Sequence, residues 1–252
     1  HGIIGGRLDR LQKESKQVLQ EASVIGRSFL YEILQKISTL QQGIDSCMRS
    51  LEQMDFIRTK ALYPELEYVF KHALTQEVSY NSLLLKWKKE IHAGIGSAIE
   101  ALYPDRLEEH YELLAYHYGR SVNADKAVMY LDLANQKAAK LNAMDEAKAY
   151  FDEAMVLLDA LPETEENRQR RISLLVNQGV VFFLLIKSPE YYDLLTRYEP
   201  MARDLGNPEL LGAFYARLGH CEFSFGNYDQ AIRTLGKAAE LCQAAGNVED
   251  TA

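Results

Sequence analysis

The chain has 252 residues, 47% of them hydrophobic, which is ample for one large core or two smaller ones. Its net charge of −8 lies wholly in the second part: residues 1–105 carry 13 Lys/Arg and 13 Asp/Glu, whereas residues 106–252 carry 15 and 23. An acidic surface repels phosphate backbones, which tells against nucleic acid as a partner there, and the longest apolar run, 180–186, is far short of the roughly 20 residues that span a bilayer.

In chain order, residues 7–25 carry Leu8, Leu11, Val18, Leu19 and Ala22 at helical spacing, with Gly26 as the stop. Ser28 can cap a second helix over 29–37. A third, 43–54, places Ile44, Cys47, Met48, Leu51 and Met54 on one side. The period then changes, and 55–59 and 66–70 read as two short strands around a Tyr63-Pro64 turn. Three helices followed by a small hairpin is the pattern of a winged helix. Helices over 73–84 and 87–102 lead to a joint near Tyr103-Pro104, which separates a domain at 1–103 from a second at 104–252.

The second part predicts helices at 107–120, 124–141, 143–161, 165–187, 190–205, 208–225 and 228–245. Leu205, Gly206, Asn207 and Glu209 return as Ala245, Gly246, Asn247 and Glu249, with two amphipathic stretches between them. A period of two helices per unit predicts an α-solenoid, in which each pair buries its apolar face against its neighbours. Tyr215, Leu218, Gly219, Gly226, Ala231, Leu235 and Ala238 match the large, small and turn positions of a tetratricopeptide (TPR) repeat, although Glu222 stands where an aromatic is usual. Leu114, Ala115, Tyr118, Ala127, Leu131 and Ala134 give a second match, and Ala147, Phe151 and Ala154 a third. Between 178 and 198 the pattern blurs, because Tyr191 occupies an alanine position. The expected fold is thus mainly α: a winged-helix-like domain with a small β-hairpin, followed by an α-solenoid of TPR-like helix pairs. The sequence stops as another pair begins, so a fragment of a longer protein is expected, with self-association through Ile232, Leu235 and Leu241 of the last helix.

IIGGRLDRLQKESKQVLQEASVIGRSF, LEYVFKHALTQEVSYNSLL, EIHAGIGSAIEALYP and AYHYGRSVNADKAVMYLDLA follow one another over most of residues 3–161. These phrases resemble the region after the nucleotide-binding domain in STAND-type signal-transduction ATPases. Such regulators, bacterial ones among them, are often fused to class III adenylate/guanylate cyclases, kinases or DNA-binding output domains, and end in TPR-like arms. The resemblance implies a regulatory and interaction role, an intramolecular contact with an upstream NTPase domain, and ATP/ADP and Mg in the full-length parent. It also implies that a histidine at the position of His72 reaches the phosphates of bound ADP; the alternative is that His72 caps or packs at the strand–helix joint.

The chain itself offers no catalytic set. GIIGGR lacks the Gly-Lys-Ser/Thr end of a phosphate loop, HAGIGSAI lacks a third glycine, and neither G-x-S-x-G nor H-E-x-x-H occurs. His110 and His117 share a helix face but stand ~10 Å apart, and read as two polar helix histidines. No catalytic residue, no metal and no cofactor is therefore expected in this chain. A protein or peptide is expected in the concave TPR face, lined by Ala213, Ala216, His220, Phe223 and Ser224. By the same alignment Val176, Val180 and Phe183 reach the groove, yet the run VVFFLLI reads as core for the last two. The alternative function is a winged-helix DNA-binding regulator with a TPR effector arm, against which the helix 43–54 offers Arg49 alone. Three unpaired cysteines and the lack of a signal-peptide pattern at the start fit a cytoplasmic location.

Overall fold

The computed structural model describes residues 6–40 and 42–246 and forms two compact units, residues 1–130 and 131–252. The returning Asn247 and Glu249 and the start of the GIIGGR segment lie outside the described residues.

The first unit runs α1 (Lys13–Ile25), β1 (Ser28–Leu30), α2 (Tyr31–Ile37), α3 (Ile44–Gln53), β2 (Ile57–Ala61), β3 (Glu67–Phe70), α4 (Ala73–Asn81), α5 (Leu85–Leu102), a 3-10 segment (Pro104–His110) and α6 (Tyr111–Gly119). Helix α1 begins at residue 13 rather than 7, because Gln12 is extended and separates it from a turn that nonetheless buries Leu8 and Leu11. Gly26, at φ 153°, turns the chain into β1. Ser28 is no helix cap: it lies in that strand and its hydroxyl donates to Glu67 Oε1 at 2.7 Å. The hairpin is therefore one part of a three-stranded antiparallel sheet, ordered β1-β3-β2, with Phe29 opposite Tyr68 and Ile57 opposite Phe70. Phe29 stacks on Tyr68 at 5.9 Å and tilts against Phe70 at 5.7 Å. On α3, Ile44, Cys47, Met48 and Leu51 are buried as their spacing predicts, whereas Met54 lies past the last turn and is exposed.

Helix α7 (Ala124–Lys140) contains Tyr130, the last residue of the first compact unit, and Glu100 of α5 ties the start of α7 to α6. Its Oε2 accepts from Tyr118 at 2.9 Å and from Lys126, and its Oε1 accepts from Tyr130 at 2.8 Å, while the Tyr118 and Tyr130 rings stack at 5.5 Å. Burial pushes the Glu100 carboxyl up, but the three hydrogen bonds outweigh it and hold the group below the usual carboxylate range. Gly96 makes room for this cluster, since a Cβ there would lie 2.5 Å from Tyr118 Cζ.

The two histidines expected as polar helix residues part company. His110 falls in the 3-10 segment against the Tyr103 ring, 4.4 Å between centroids. His117 is fully buried and faces His92 across an Nδ1···Nδ1 distance of 2.9 Å. Desolvation, helped by Arg120, pushes His92 down to about 4; burial and the facing His92 push His117 down to about 3.

The second unit contains the rest of α7, then α8 (Met144–Ala160), α9 (Glu165–Asn177), α10 (Gly179–Leu184), α11 (Ser188–Asp204), α12 (Pro208–Ser224) and α13 (Tyr228–Ala244). Thr164 caps α9 and Asn207 caps α12, each side chain accepting from the N–H three residues on. The helix expected over 165–187 breaks at Gln178. There the N–H bonds back three residues to Leu175 O, and the fully buried carboxamide exchanges hydrogen bonds of 2.9 and 3.0 Å with that of Asn135. Asn135 also donates to Ala147 O at 2.6 Å. Ala147, Phe151, Ala154 and Ala231 are buried at the small and large positions their spacing assigned. Gly219 lets α12 and α13 meet closely: a Cβ there would sit 2.7 Å from Leu235 Cγ. No helix among the described residues is long and apolar enough to cross a membrane.

The buried His92–His117 pair makes a pH prediction. Both imidazoles are neutral in the fold, whereas an unfolded histidine protonates near pH 6.5. The unfolded chain therefore binds more protons below that pH. Stability should fall as pH drops from about 6.5 toward 4, by up to ~1.4 kcal/mol per unit for each histidine. Urea unfolding between about pH 7 and 5, above the range of most carboxylates, reads this slope. It should be largely lost in His92→Leu/His117→Leu, which removes both polar partners together; an equally steep profile in that variant would contradict the assignment.

Candidate functional site

A cavity of about 270 Å³ lies in the second unit where the break at Gln178 brings α10 beside α12. A helix turns about 100° per residue, so consecutive residues of a short helix face different ways. Val181 and Phe182 point inward, the Phe182 ring edge-on to Phe151 at 5.7 Å and stacked on Tyr191 at 5.0 Å. Val180 and Phe183 are consequently turned out, 64% and 59% exposed, and both line the cavity. This reverses the core reading of these two residues, while Val176, aligned with the groove, is buried. A uniformly apolar run has no face that hydropathy alone can identify.

The opposite wall is one stripe of α12, with Arg217, His220, Cys221 and Ser224 at positions i, i+3, i+4 and i+7. Arg217 donates from Nε to Val176 O at 3.1 Å, and its guanidinium has no carboxylate partner among the described residues. Gly179 allows this approach, because a Cβ there would press on Arg217 Cδ at 3.1 Å. Tyr191 closes the floor with its hydroxyl donating to Leu175 O at 2.7 Å, and burial pushes its pKa up. Burial also pushes the Cys221 thiol up to about 11, so it stays protonated and unreactive at neutral pH. Ser224 spends its hydroxyl hydrogen on His220 O at 2.9 Å. Apolar walls with one arginine and a few polar groups suit contact with an extended, partly apolar segment better than bond-making.

The five groove residues expected from the sequence are divided by the structure. His220 and Ser224 line the cavity beside α10. Ala213 lines a second cavity of about 240 Å³ with Gln169, Ser173 and Leu210. Ala216 is half-buried and borders neither, and Phe223 is exposed with its ring edge-on to Tyr228 at 5.4 Å. Gly179, Tyr191 and Arg217 are site residues that sequence reasoning missed; the helical spacing 217, 220, 224 was the available signal for Arg217. On α13, Ile232 and Leu235 are exposed and Leu241 half-buried. His72 stands immediately before α4 with extended backbone and an exposed imidazole that makes no capping hydrogen bond, beside a 2.6 Å Lys71–Asp55 ion pair.

No protein-family model matches the chain. It is 23% identical over 185 residues to an uncharacterized protein, R02095, of Rhizobium meliloti (strain 1021), a match covering 71% of this chain and 18% of that protein. The chain thus spans less than a fifth of that relative's length. Among solved structures it is similar to BtubC (BKLC) from P. vanneervenii, at 17% identity and a TM-score of 0.48, over 69% of this chain and 71% of that one. It is also similar to PH0952 from Pyrococcus horikoshii, a Signal Transduction ATPase with Numerous Domains (STAND) protein with a tetratricopeptide repeat sensor. That likeness has 13% identity and a TM-score of 0.40, over 98% of this chain and 47% of that one.

The facing of α10 is open to a direct check. Phe183→Ala should change unfolding free energy by no more than about 0.5 kcal/mol, whereas Phe182→Ala should cost about 3–5 kcal/mol. Urea unfolding of the two variants side by side measures the difference; equal losses would return Phe183 to the core.

Proposed function

We propose that this chain is a non-catalytic regulatory and interaction arm of a STAND-type signalling ATPase, built from a winged-helix-like unit and TPR-like helix pairs, and working in the cytoplasm. The observation that carries the reading is the cavity beside α10, where Val180 and Phe183 are held outward next to the unpaired Arg217. A peptide with a large apolar side chain and a nearby carboxylate matches that wall, because the aromatic contact supplies affinity and the guanidinium supplies orientation. The order helix, strand, helix, helix, strand, strand with the sheet arranged β1-β3-β2 fits the winged-helix part of the proposal. Buried small residues at Gly219, Ala231 and Ala238 fit the TPR part.

In the full-length parent, His72 is the residue of this chain offered to the phosphates of ADP, with Mg and the nucleotide held by an upstream NTPase domain. Its exposed imidazole, free of any capping bond, is compatible with that role. What the chain supplies there is a hydrogen-bond donor to an anion, and so a means by which nucleotide state reaches the arm.

Selection of a displayed random-peptide library on the chain tests the groove. Peptides with a large apolar residue close to an acidic one should be enriched, and Phe183→Asp should weaken their binding about tenfold or more while leaving the helical circular dichroism unchanged. Enriched peptides that bind wild type and Phe183→Asp equally would overturn the assignment of the groove.

A further inference from the structure

A second cleft, in the first unit, has a different chemistry and stands whether or not the second unit binds peptides. It lies between α1 and α5, holds about 200 Å³, and is walled by Ile37, Leu83, Ile91 and Trp87. Its charged lining residues are Glu21 and Glu90, the latter paired with Lys86 at 3.9 Å, and no Lys or Arg is among the described residues that line it. Trp87 is large, apolar and 55% exposed at the rim. Glu21 is the opposite, a carboxylate only 5% exposed. Its Oε1 accepts from Gln17 at 3.0 Å and from the Thr39 backbone and hydroxyl at 3.4 and 3.3 Å, while its Oε2 has no hydrogen-bond partner among the described residues.

A buried carboxylate oxygen left without a donor is costly, and a cation with N–H groups is the partner that would relieve it. We propose that this cleft binds an aliphatic ammonium group, with the Glu21 carboxylate as counter-ion and Trp87, Ile37 and Ile91 around its methylenes. The cleft's volume of about 200 Å³ is enough for a four-carbon chain carrying an amine. Anionic ligands are disfavoured by the buried Glu21 carboxylate, and a neutral apolar ligand would leave Glu21 Oε2 unsatisfied. Trp87 adds a ring face on which an alkylammonium is held by both apolar and cation–π contact. The same chemistry comes from a free alkylamine or from a lysine side chain of a partner protein.

Trp87 is the chain's one tryptophan among 15 tyrosines, so fluorescence excited beyond the tyrosine absorption band reports this cleft. Titration of the 252-residue chain with n-butylammonium, putrescine or Nα-acetyl-lysine amide should change that fluorescence saturably, and n-butanol should not. Glu21→Gln keeps an acceptor for Thr39 but removes the charge, and should weaken binding by about tenfold or more. Gly94→Leu fills the cleft without a backbone clash, since a Cβ at Gly94 meets Ile37 at an ordinary 3.7 Å, and should abolish the response with the fold intact by circular dichroism. Tighter binding of the free amines would point to a small-molecule source, and tighter binding of the lysine amide to a side chain; either supports the site. No saturable change with any ammonium, an equal response to n-butanol, or unaltered binding in both variants would overturn it.

Discussion

The second unit is organised around two carboxamides, those of Asn135 and Gln178, which bond to each other in both directions inside the core. A buried amide left unpaired costs about 1–3 kcal/mol, so each residue is tied to the other's position. For Gln178 this fixes the point where α9 stops and α10 starts. Once α10 starts at Gly179, its rotation follows from Phe182, which is wedged between Phe151 and Tyr191. With Phe182 inward, Phe183 has to face out, and so does Val180 three residues before it. The exposed apolar wall is thus the consequence of a buried polar pair. A long uninterrupted helix over the same residues would have no such obligatory break.

The first unit solves a related problem less completely. Glu100 is half-buried and fully served, by Lys126 and two tyrosine hydroxyls. His117 is enclosed with one nitrogen satisfied by His92 and Nε2 without a partner among the described residues. Glu21, which lines the cleft, is the intermediate case, with one oxygen bonded and the buried Oε2 without a partner among the described residues. Well-served polar clusters fix a unique packing, whereas the incompletely served ones are where pH or a ligand can act on the fold.

Much of this architecture was legible in the sequence because it depends on spacing. The i, i+3, i+4 pattern of Ile44, Cys47, Met48 and Leu51 marks a buried helix face whatever lies around it, and the small residues Gly219 and Ala231 mark where two helices touch. What was not legible depends on partners distant in the chain. Ser28 looked like a helix cap because a strand of three residues is too short for periodicity to register, and its neighbour in the sheet, Val69, lies far along the sequence. The break at Gln178 is set by Asn135, and VVFFLLI gives no alternation from which its two faces could be told apart. His117 looked like an ordinary helix histidine because nothing in its own helix announces His92.

The most direct test of the amide pair as the organising constraint is a double-mutant cycle. Asn135→Leu, Gln178→Leu and the double variant would be unfolded in urea and compared with wild type. Each single change leaves one buried carboxamide without its partner, and the double change leaves neither. The double variant should lose less than the sum of the single losses, with a coupling of about 1–3 kcal/mol. Losses that add to within about 0.5 kcal/mol would contradict it, because the two residues would then be independent and the break at Gln178 would need another cause.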